Sequence, residues 1–163
     1  MSRVTKLRSY ARSKAESSHL LRASRTNALR GATNLKIQLT TVWHFSFAVS
    51  DPEKSAQFWT ENFDLKEMFR SDEAIALTND ALIIGFFKGT PHPDTMDHMS
   101  FRLDSMRALR EALQTLKKNG VNLEDPGNEI GPTSSDSPHM GLWFHDPDGY
   151  RWELSVQNGA RER

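Results

Sequence analysis

The sequence predicts an α+β fold made of two copies of one strand–helix–three-strand unit (βαβββ). First, the hexamer at residues 44–49 returns at residues 98–103, and both follow the pattern His-x-Ser-Phe-x-aliphatic. Second, each hexamer precedes a segment with helical apolar spacing and then three short strand-like runs. Third, the 163 residues are 37% hydrophobic and include no cysteine, so one ordinary core is expected. A disulfide framework, zinc ribbon, iron–sulfur cluster or thiol nucleophile is excluded.

The first unit opens with a strand over residues 44–49, in which His44, Ser46 and Ala48 share one face. Asp51 can cap the following helix, with Pro52 in its first turn. The apolar face of this helix is marked by Ala56, Trp59 and Phe63. Strands are then predicted over residues 65–70, 74–78 and 81–87, with a turn at residues 79–80.

The second unit repeats this order. Its strand at residues 98–103 places His98, Ser100 and Arg102 on one face, and Asp104 or Ser105 can cap its helix. Strands are predicted over residues 121–124, 141–145 and 150–156, and residues 125–138 form the longest loop. The turn Asp-Pro-Asp-Gly at residues 146–149 joins the last two strands, and we expect its role to be structural. Because the helices should cover the apolar strand faces, the His-bearing faces should point away from them.

The predicted domain organisation is a basic, disordered arm over residues 1–34, a folded domain over residues 35–158 and a short tail over residues 159–163. The two modules span about residues 40–89 and 95–157. Residues 1–36 contain nine basic side chains and one acid, although the whole chain has 21 of each. Three interpretations of the arm stay open: a solvated tail, which we favour, an organellar targeting segment, or an arm that binds nucleic acid or acidic lipid.

These features also bear on location and partners. No apolar run approaches the ~20 residues of a membrane-spanning helix, so no membrane partner is expected. A cytoplasmic location is predicted, or an organellar one if residues 1–34 are a transit peptide. A nucleic-acid partner is not expected, because only the arm is basic.

The residues with chemical potential lie on the polar faces of three strands. Glu153 alternates with Trp152 and Leu154 in the last strand, so it faces the same way as His44 and His98. If the two units pack as a pseudo-twofold pair, these three side chains could meet inside a curved sheet. Two imidazoles and one carboxylate suit a divalent transition ion that keeps positions open for substrate. Singly, each has an ordinary explanation as an exposed histidine or a sheet-edge acid.

The string Leu-Trp-Phe-His-Asp-Pro-Asp-Gly-Tyr-Arg-Trp-Glu at residues 142–153, together with His44 and His98, resembles the vicinal oxygen chelate superfamily. This superfamily includes glyoxalase I, extradiol dioxygenases, fosfomycin-resistance transferases and bleomycin-binding proteins. The resemblance covers about residues 40–157 and implies a U-shaped, partly open barrel of mixed sheet with helices outside, usually in a homodimer. It also implies His44, His98 and Glu153 as ligands of a divalent ion (Fe²⁺, Mn²⁺, Zn²⁺ or Ni²⁺).

Departures from the family patterns reduce the number of activities that the resemblance supports. Aligning the turn at residues 79–80 with that at 148–149 places Ile84 opposite Glu153, so the fourth ligand usual in glyoxalase I is missing. Trp143 stands where the extradiol signature favours Tyr, and a fosfomycin-type potassium loop or phosphonate-binding cluster is not evident. Bleomycin-binding relatives generally lack the three metal ligands that the resemblance implies here.

We therefore predict a divalent-metal-dependent lyase or dioxygenase that acts on a small substrate chelating the ion through vicinal oxygens. The alternative is a non-catalytic protein that binds a drug or an aromatic ligand. The candidate catalytic residues are Glu153 and His139, of which His139 is a general acid or base near the metal or else an ordinary loop-end histidine. The candidate substrate-binding residues are Arg102, Trp143 and Arg151, although either arginine could instead pair with an acid at the sheet rim. Spacing leaves open whether the metal site closes within one chain or across a dimer.

Overall fold

The computed structural model describes residue 37 and residues 39–161. The chain divides into two compact units, Met1–Leu39 and Thr40–Arg163. Of the first unit only residues 37 and 39 are described, so the predicted disordered arm at residues 1–34 lies outside the described residues. In the part that is described, no helix has the length and apolar character needed to cross a membrane.

The first module has the five elements predicted for it, in the predicted order. Its strands form one mixed sheet in the order β1-β4-β3-β2, in which β1 runs parallel to β4 and the other pairs are antiparallel. The elements are β1 (His44–Val49), helix α1 (Pro52–Asn62), β2 (Lys66–Ser71), β3 (Ala74–Thr78) and β4 (Ile83–Lys88).

The second module repeats this topology in the order β5-β9-β8-β6. It adds β7, a short strand inside the predicted loop at residues 125–138, which pairs with the start of β8. Pro132 is compatible with this pairing because β7 lies at the sheet edge, where a missing N–H is tolerated. The elements are β5 (Met99–Leu103), helix α2 (Met106–Lys118), β6 (Asn122–Leu123), β7 (Gly131–Pro132), β8 (Met140–His145) and β9 (Arg151–Val156).

The helix starts follow the predicted capping chemistry. The Asp51 side chain accepts hydrogen bonds from the N–H groups of Glu53 and Lys54, which would otherwise lack partners in the first turn of α1. Of the two candidate caps for α2, Ser105 is the one that bonds, since its hydroxyl accepts from Ala108 N–H at 3.2 Å. Helix α1 therefore starts directly after β1, which begins at His44. Helix α2 starts directly after β5, which His98 immediately precedes.

An aromatic core joins the two modules. Trp59 of α1 lies with its ring centroid 4.6 Å from that of Trp152 in β9, at an interplanar angle of 79°. From β1, Phe45 and Phe47 reach the same Trp152 ring at 6.0 and 5.1 Å. The apolar faces of both sheets therefore share one core, as the alternation predicted. Two βαβββ modules in sheets that do not close on each other confirm the predicted α+β fold with an open barrel.

The turn at residues 146–149 holds the modules together. The carboxylate of Asp148 accepts from the Ser50 hydroxyl at 2.5 Å and from the Ser50 N–H at 3.1 Å. Tyr150 donates its hydroxyl to the Ala48 carbonyl at 2.8 Å, which adds a second link to the end of β1. Asp146 accepts from the Trp152 indole N–H at 3.1 Å, and burial raises the pKa of this carboxyl despite that bond. These contacts agree with the structural role predicted for the turn.

An ion pair between a buried carboxylate and an exposed lysine attaches the long loop to α2. Glu129 is 8% exposed, and its carboxylate accepts from Lys117 Nζ at 2.6 Å and from the Gly127 N–H at 2.9 Å. The hydrogen bond from Lys117 is the main reason that the pKa of Glu129 falls to about 2. Because the ordinary value is about 4.5, ionised Glu129 stabilises the fold above that pH, and the stabilisation is lost as the pH falls towards 2.

We expect Lys117→Met to lower the urea midpoint of unfolding at pH 7, because it leaves the buried Glu129 carboxylate without its cation. The difference from wild type should shrink at pH 3, where the unfolded chain already binds a proton at this position. Lys118→Met is the matched control, since it removes a neighbouring exposed lysine from the same helical turn. Equal midpoint losses for the two variants at pH 7 would contradict the assignment.

Candidate metal centre

His98 and Glu153 come together on the polar face of the second sheet. Ser100 pairs with Glu153 across β5 and β9, so His98, just before β5, lies close to that carboxylate. His98 Nε2 lies 3.7 Å from Glu153 Oε2. Glu153 is 5% exposed, whereas the His98 side chain is 36% exposed. The pair therefore combines a buried carboxylate with an imidazole open to solvent.

His98 and Glu153 do not hydrogen-bond to each other, and the groups around them explain why. Asp97 Oδ2 lies 2.5 Å from His98 Nδ1, and since a carboxylate only accepts, Nδ1 carries the proton. In the neutral imidazole, Nε2 is then a bare acceptor that faces another acceptor, Glu153. Within residues 39–161, no hydrogen bond reaches the Glu153 carboxylate. The residue is largely buried, although its carboxylate oxygens keep some contact with solvent, and a carboxylate in such surroundings is stabilised by a nearby cation.

The donor set of the pair fits a divalent ion. Two ligands of one tetrahedral ion, each about 2.1 Å from it, lie about 3.4 Å apart, close to the separation of Nε2 and Oε2. The Asp97–His98 contact is also of the kind that orients metal-binding histidines, because it fixes the tautomer that leaves Nε2 free. His98 and Glu153 therefore can supply two ligands, with Asp97 behind them.

Gly141 makes room for the Glu153 carboxylate. A Cβ built on Gly141 would lie 2.7 Å from Glu153 Oε1 and 3.2 Å from the Thr133 methyl group. Any side chain at residue 141 would thus displace the carboxylate or push away the start of β8. The absence of a side chain at Gly141 thus leaves the space that the Glu153 carboxylate occupies.

The structure does not bring His44 to this pair. Among residues 39–161, no three His, Asp or Glu side chains lie close enough together to hold a metal ion. The cause is the aromatic core: Phe45 and Trp152 face each other, so His44 and Glu153, which alternate with them, lie on outer faces. The convergence of all three ligands inside one curved sheet, expected from the sequence, is therefore not formed by the single chain.

The residue equivalent to Glu153 in the first module is Gly85 and not Ile84. Ser46 pairs with Gly85 in β1 and β4, as Ser100 pairs with Glu153 in β5 and β9. Ile84 is 1% exposed in the core, so the turn-based alignment was wrong by one residue. A shift of one residue moves a strand position to the opposite face. The expectation of no fourth ligand is unaffected, because glycine has no side chain.

His139 lies away from the candidate centre. Its Nδ1 accepts a hydrogen bond from the Asn158 N–H at 3.0 Å, beyond the end of β9. Trp143 pairs with Glu153, and His139 precedes Trp143 by four residues, which is about 13 Å along a strand. The length of strand therefore separates His139 from Glu153 within one chain, and its role as a general acid or base near the metal stays a prediction.

The candidate substrate-binding residues have different surroundings. Trp143 is half-buried beside Glu153, and the Arg151 guanidinium carbon lies 5.7 Å from its ring centroid. Arg151 donates to both carboxylate oxygens of Glu124, from Nε at 2.6 Å and from Nη2 at 2.8 Å. This pair lowers the pKa of Glu124 and raises that of Arg151. Arg102 is mostly exposed, and its nearest acid is Asp104 at 4.0 Å.

Sequence reasoning missed two residues of this region, Asp97 and Glu124. Asp97 directly precedes His98, so an acid adjacent to a candidate ligand was a signal available in the sequence. Glu124 follows the two-residue strand β6, and its N–H donates to the Trp143 carbonyl at 3.0 Å. No periodic pattern marks Glu124, because its contact with Arg151 depends on how β6 aligns with β8.

Comparison with known proteins agrees with this architecture. Residues 41–154 match the family model described as the Glyoxalase/Bleomycin resistance protein/Dioxygenase superfamily. The metallothiol transferase FosB of Staphylococcus epidermidis is 27% identical over 124 residues, which are 72% of this chain and 82% of that protein. The enzyme of the same name from Staphylococcus saprophyticus is 26% identical over 121 residues, 71% of this chain and 76% of that protein.

Solved structures show the same fold at lower identity. The fosfomycin resistance protein FosX of Listeria monocytogenes has a TM-score of 0.58 and 20% identity, covering 74% of this chain and 94% of that one. The lactoylglutathione lyase of Agrobacterium tumefaciens has a TM-score of 0.59 and 10% identity, covering 74% and 96%.

We expect Gly141→Ala to weaken the binding of added Mn²⁺ and to lower the free energy of unfolding by about 1–3 kcal/mol, the usual range for overpacking. The added methyl group must displace the Glu153 carboxylate or the Thr133 side chain. Gly131→Ala is the control, since a Cβ there meets nothing within 4 Å. Titration with Mn²⁺ and urea unfolding measure the two effects, and a Gly141→Ala chain that matches the control in both would contradict this role.

Proposed function

The chain belongs to the Glyoxalase/Bleomycin resistance protein/Dioxygenase superfamily, and we propose that it is a divalent-metal-dependent enzyme acting on a small substrate with two neighbouring oxygens. The observation that carries the proposal is the largely buried Glu153 carboxylate, which has the Nε2 atom of His98 3.7 Å away and no hydrogen-bond donor beside it within residues 39–161. A cation is the simplest group that would stabilise this arrangement.

We propose that the third ligand is His44 of a second copy of the chain. β1 and β5 are edge strands of their sheets, and His44 opens β1 while His98 directly precedes β5. Edge strands present unpaired N–H and C=O groups that favour the addition of another strand. If β1 of one copy lies along β5 of the other, a twofold dimer forms two sites, each containing His44 from one chain and His98 with Glu153 from the other.

The remaining residues of the site have roles that follow from their contacts. His98 and Glu153 are the ligands, and Asp97 keeps the His98 proton on Nδ1. Trp143 provides an aromatic surface for the substrate beside Glu153. A divalent ion held by His98 and Glu153 would supply positive charge to the two neighbouring oxygens of the substrate.

The names of the relatives do not agree on one reaction. The curated relatives are metallothiol transferases, and one structural relative is a lactoylglutathione lyase. Activation of neighbouring oxygens is compatible with the lyase and dioxygenase classes expected from the sequence and with group transfer. A screen of catechols, 2-oxoaldehyde–thiol adducts and epoxides, run with and without oxygen, would identify the reaction from the products that form.

Complementation of two variants tests the shared site. His44→Ala and Glu153→Ala chains should each bind less than a tenth of the wild-type Mn²⁺, because each removes one ligand from every site. When the two are refolded together, the mixed dimers should regain one intact site, and about a quarter of the wild-type Mn²⁺ should return if the chains pair at random. Metal analysis after size-exclusion chromatography measures this return.

The outcomes separate the possibilities. No recovery in the mixture would show that the chain does not share its ligands across a dimer. Wild-type chain that binds no Mn²⁺, Fe²⁺, Zn²⁺ or Ni²⁺ yet binds aromatic ligands tightly would replace the enzyme with a non-catalytic binding protein. His92→Ala is the control for loss of a histidine, because His92 lies in the connector between the modules.

A further inference from the structure

A cation beside the candidate centre is held by an acid. Arg151 lies two residues before Glu153 on the same face of β9. Its Nε and Nη2 bond to Glu124, its Nη1 lies 3.9 Å from Asp97, and its guanidinium group lies over Trp143. Glu124 also lies 2.9 Å from His145 Nε2. Two charge-assisted hydrogen bonds therefore commit Arg151 to Glu124 and hold its guanidinium group beside Trp143.

The charges around the centre favour a divalent ion over an anion. The guanidinium of Arg151 offsets the Glu124 carboxylate, so Glu153 leaves one net negative charge, and Asp97, 85% exposed at its side chain, adds a second that solvent screens. A phosphate or phosphonate dianion bound to one divalent ion there would leave a net negative charge in a partly buried site, which is unfavourable at low dielectric.

The other cations on these faces are mostly exposed. Lys66 of β2, which shares the sheet face of His44, is 66% exposed at its side chain and bonds to Asp80 at 2.8 Å. Arg102 is 65% exposed at its side chain, so solvent screens its charge. The polar face of β1 and β4, which a second copy would contribute, contains no Lys or Arg. It consists of His44, Ser46, Ala48, Ile83, Gly85 and Phe87. Together with Trp143, these side chains form an apolar and aromatic surface with a few hydroxyl groups.

We propose that Glu124 determines specificity: by holding Arg151 it makes the site select neutral substrates, with two adjacent oxygens on an apolar or aromatic body, over phosphate and phosphonate anions. This inference rests on the proposed function, because it names the substrate class of the same site. Glu124 does not contact the substrate; it acts through Arg151.

The test compares a neutral and an anionic probe, catechol and inorganic phosphate, by calorimetric titration of the Mn²⁺-loaded chain without oxygen. Wild type should bind catechol more tightly than phosphate. Glu124→Gln and Glu124→Ala should gain about tenfold or more in phosphate affinity, which is what one released charge-assisted hydrogen bond contributes. The double variant Glu124→Ala with Arg151→Gln should lose this gain. Glu111→Gln controls for net charge, because Glu111 lies exposed on α2.

Each outcome decides the proposal. It is overturned if wild type prefers phosphate or binds no catechol, if neither Glu124 variant gains phosphate affinity, or if the gain survives without Arg151. The phosphate titrations are repeated without Mn²⁺, since the release of Arg151 does not require the ion. A chain that binds no metal but gains phosphate affinity on loss of Glu124 would refute the metal-dependent function while leaving the role of Glu124 supported.

Discussion

The packing of aromatic rings between the two sheets determines where the chemistry can occur. Trp59 and Trp152 lie at the centre of this core, and Phe45 and Phe47 reach it from β1. The burial of such large rings is a major contribution to the free energy of folding. Because strand side chains alternate, the burial of these rings directs His44 and Glu153 outwards on separate faces. The incomplete ligand set of the single chain is thus a direct consequence of its core.

A single strand combines the structural and the chemical parts of the second module. In β9, Trp152 fills the core and bonds Asp146, whereas the next residue, Glu153, faces His98. The turn that precedes β9 bonds to the end of β1 through Asp148. The position of the carboxylate is therefore set by rigid neighbours on both sides. Such rigidity suits the role of metal ligand that we propose for Glu153.

Much of the architecture was predictable from the sequence. The positions of the site residues were less predictable, for a different physical reason. The hexamer repeat and the capping residues reported on local geometry, so both modules and the cap at Asp51 were found. Alternation also placed Glu153 and His98 on one face. Alternation alone does not show which faces of the two sheets pack together. The separation of His44 from His98 and Glu153 was therefore not predicted. The first module has one more residue between its turn and Gly85 than the second has before Glu153, and this insertion caused the error at Ile84.

The edge positions of β1 and β5 have a consequence for how such a molecule responds to dilution. When ligands for one ion come from two chains, the ion stabilises the assembled state, and assembly in turn raises the affinity for the ion. Occupancy then depends on the abundance of the polypeptide as well as on that of the metal. For the shared site proposed above, low expression of the chain would leave mostly empty, separate subunits, and a modest rise in expression would produce a steeper rise in loaded sites.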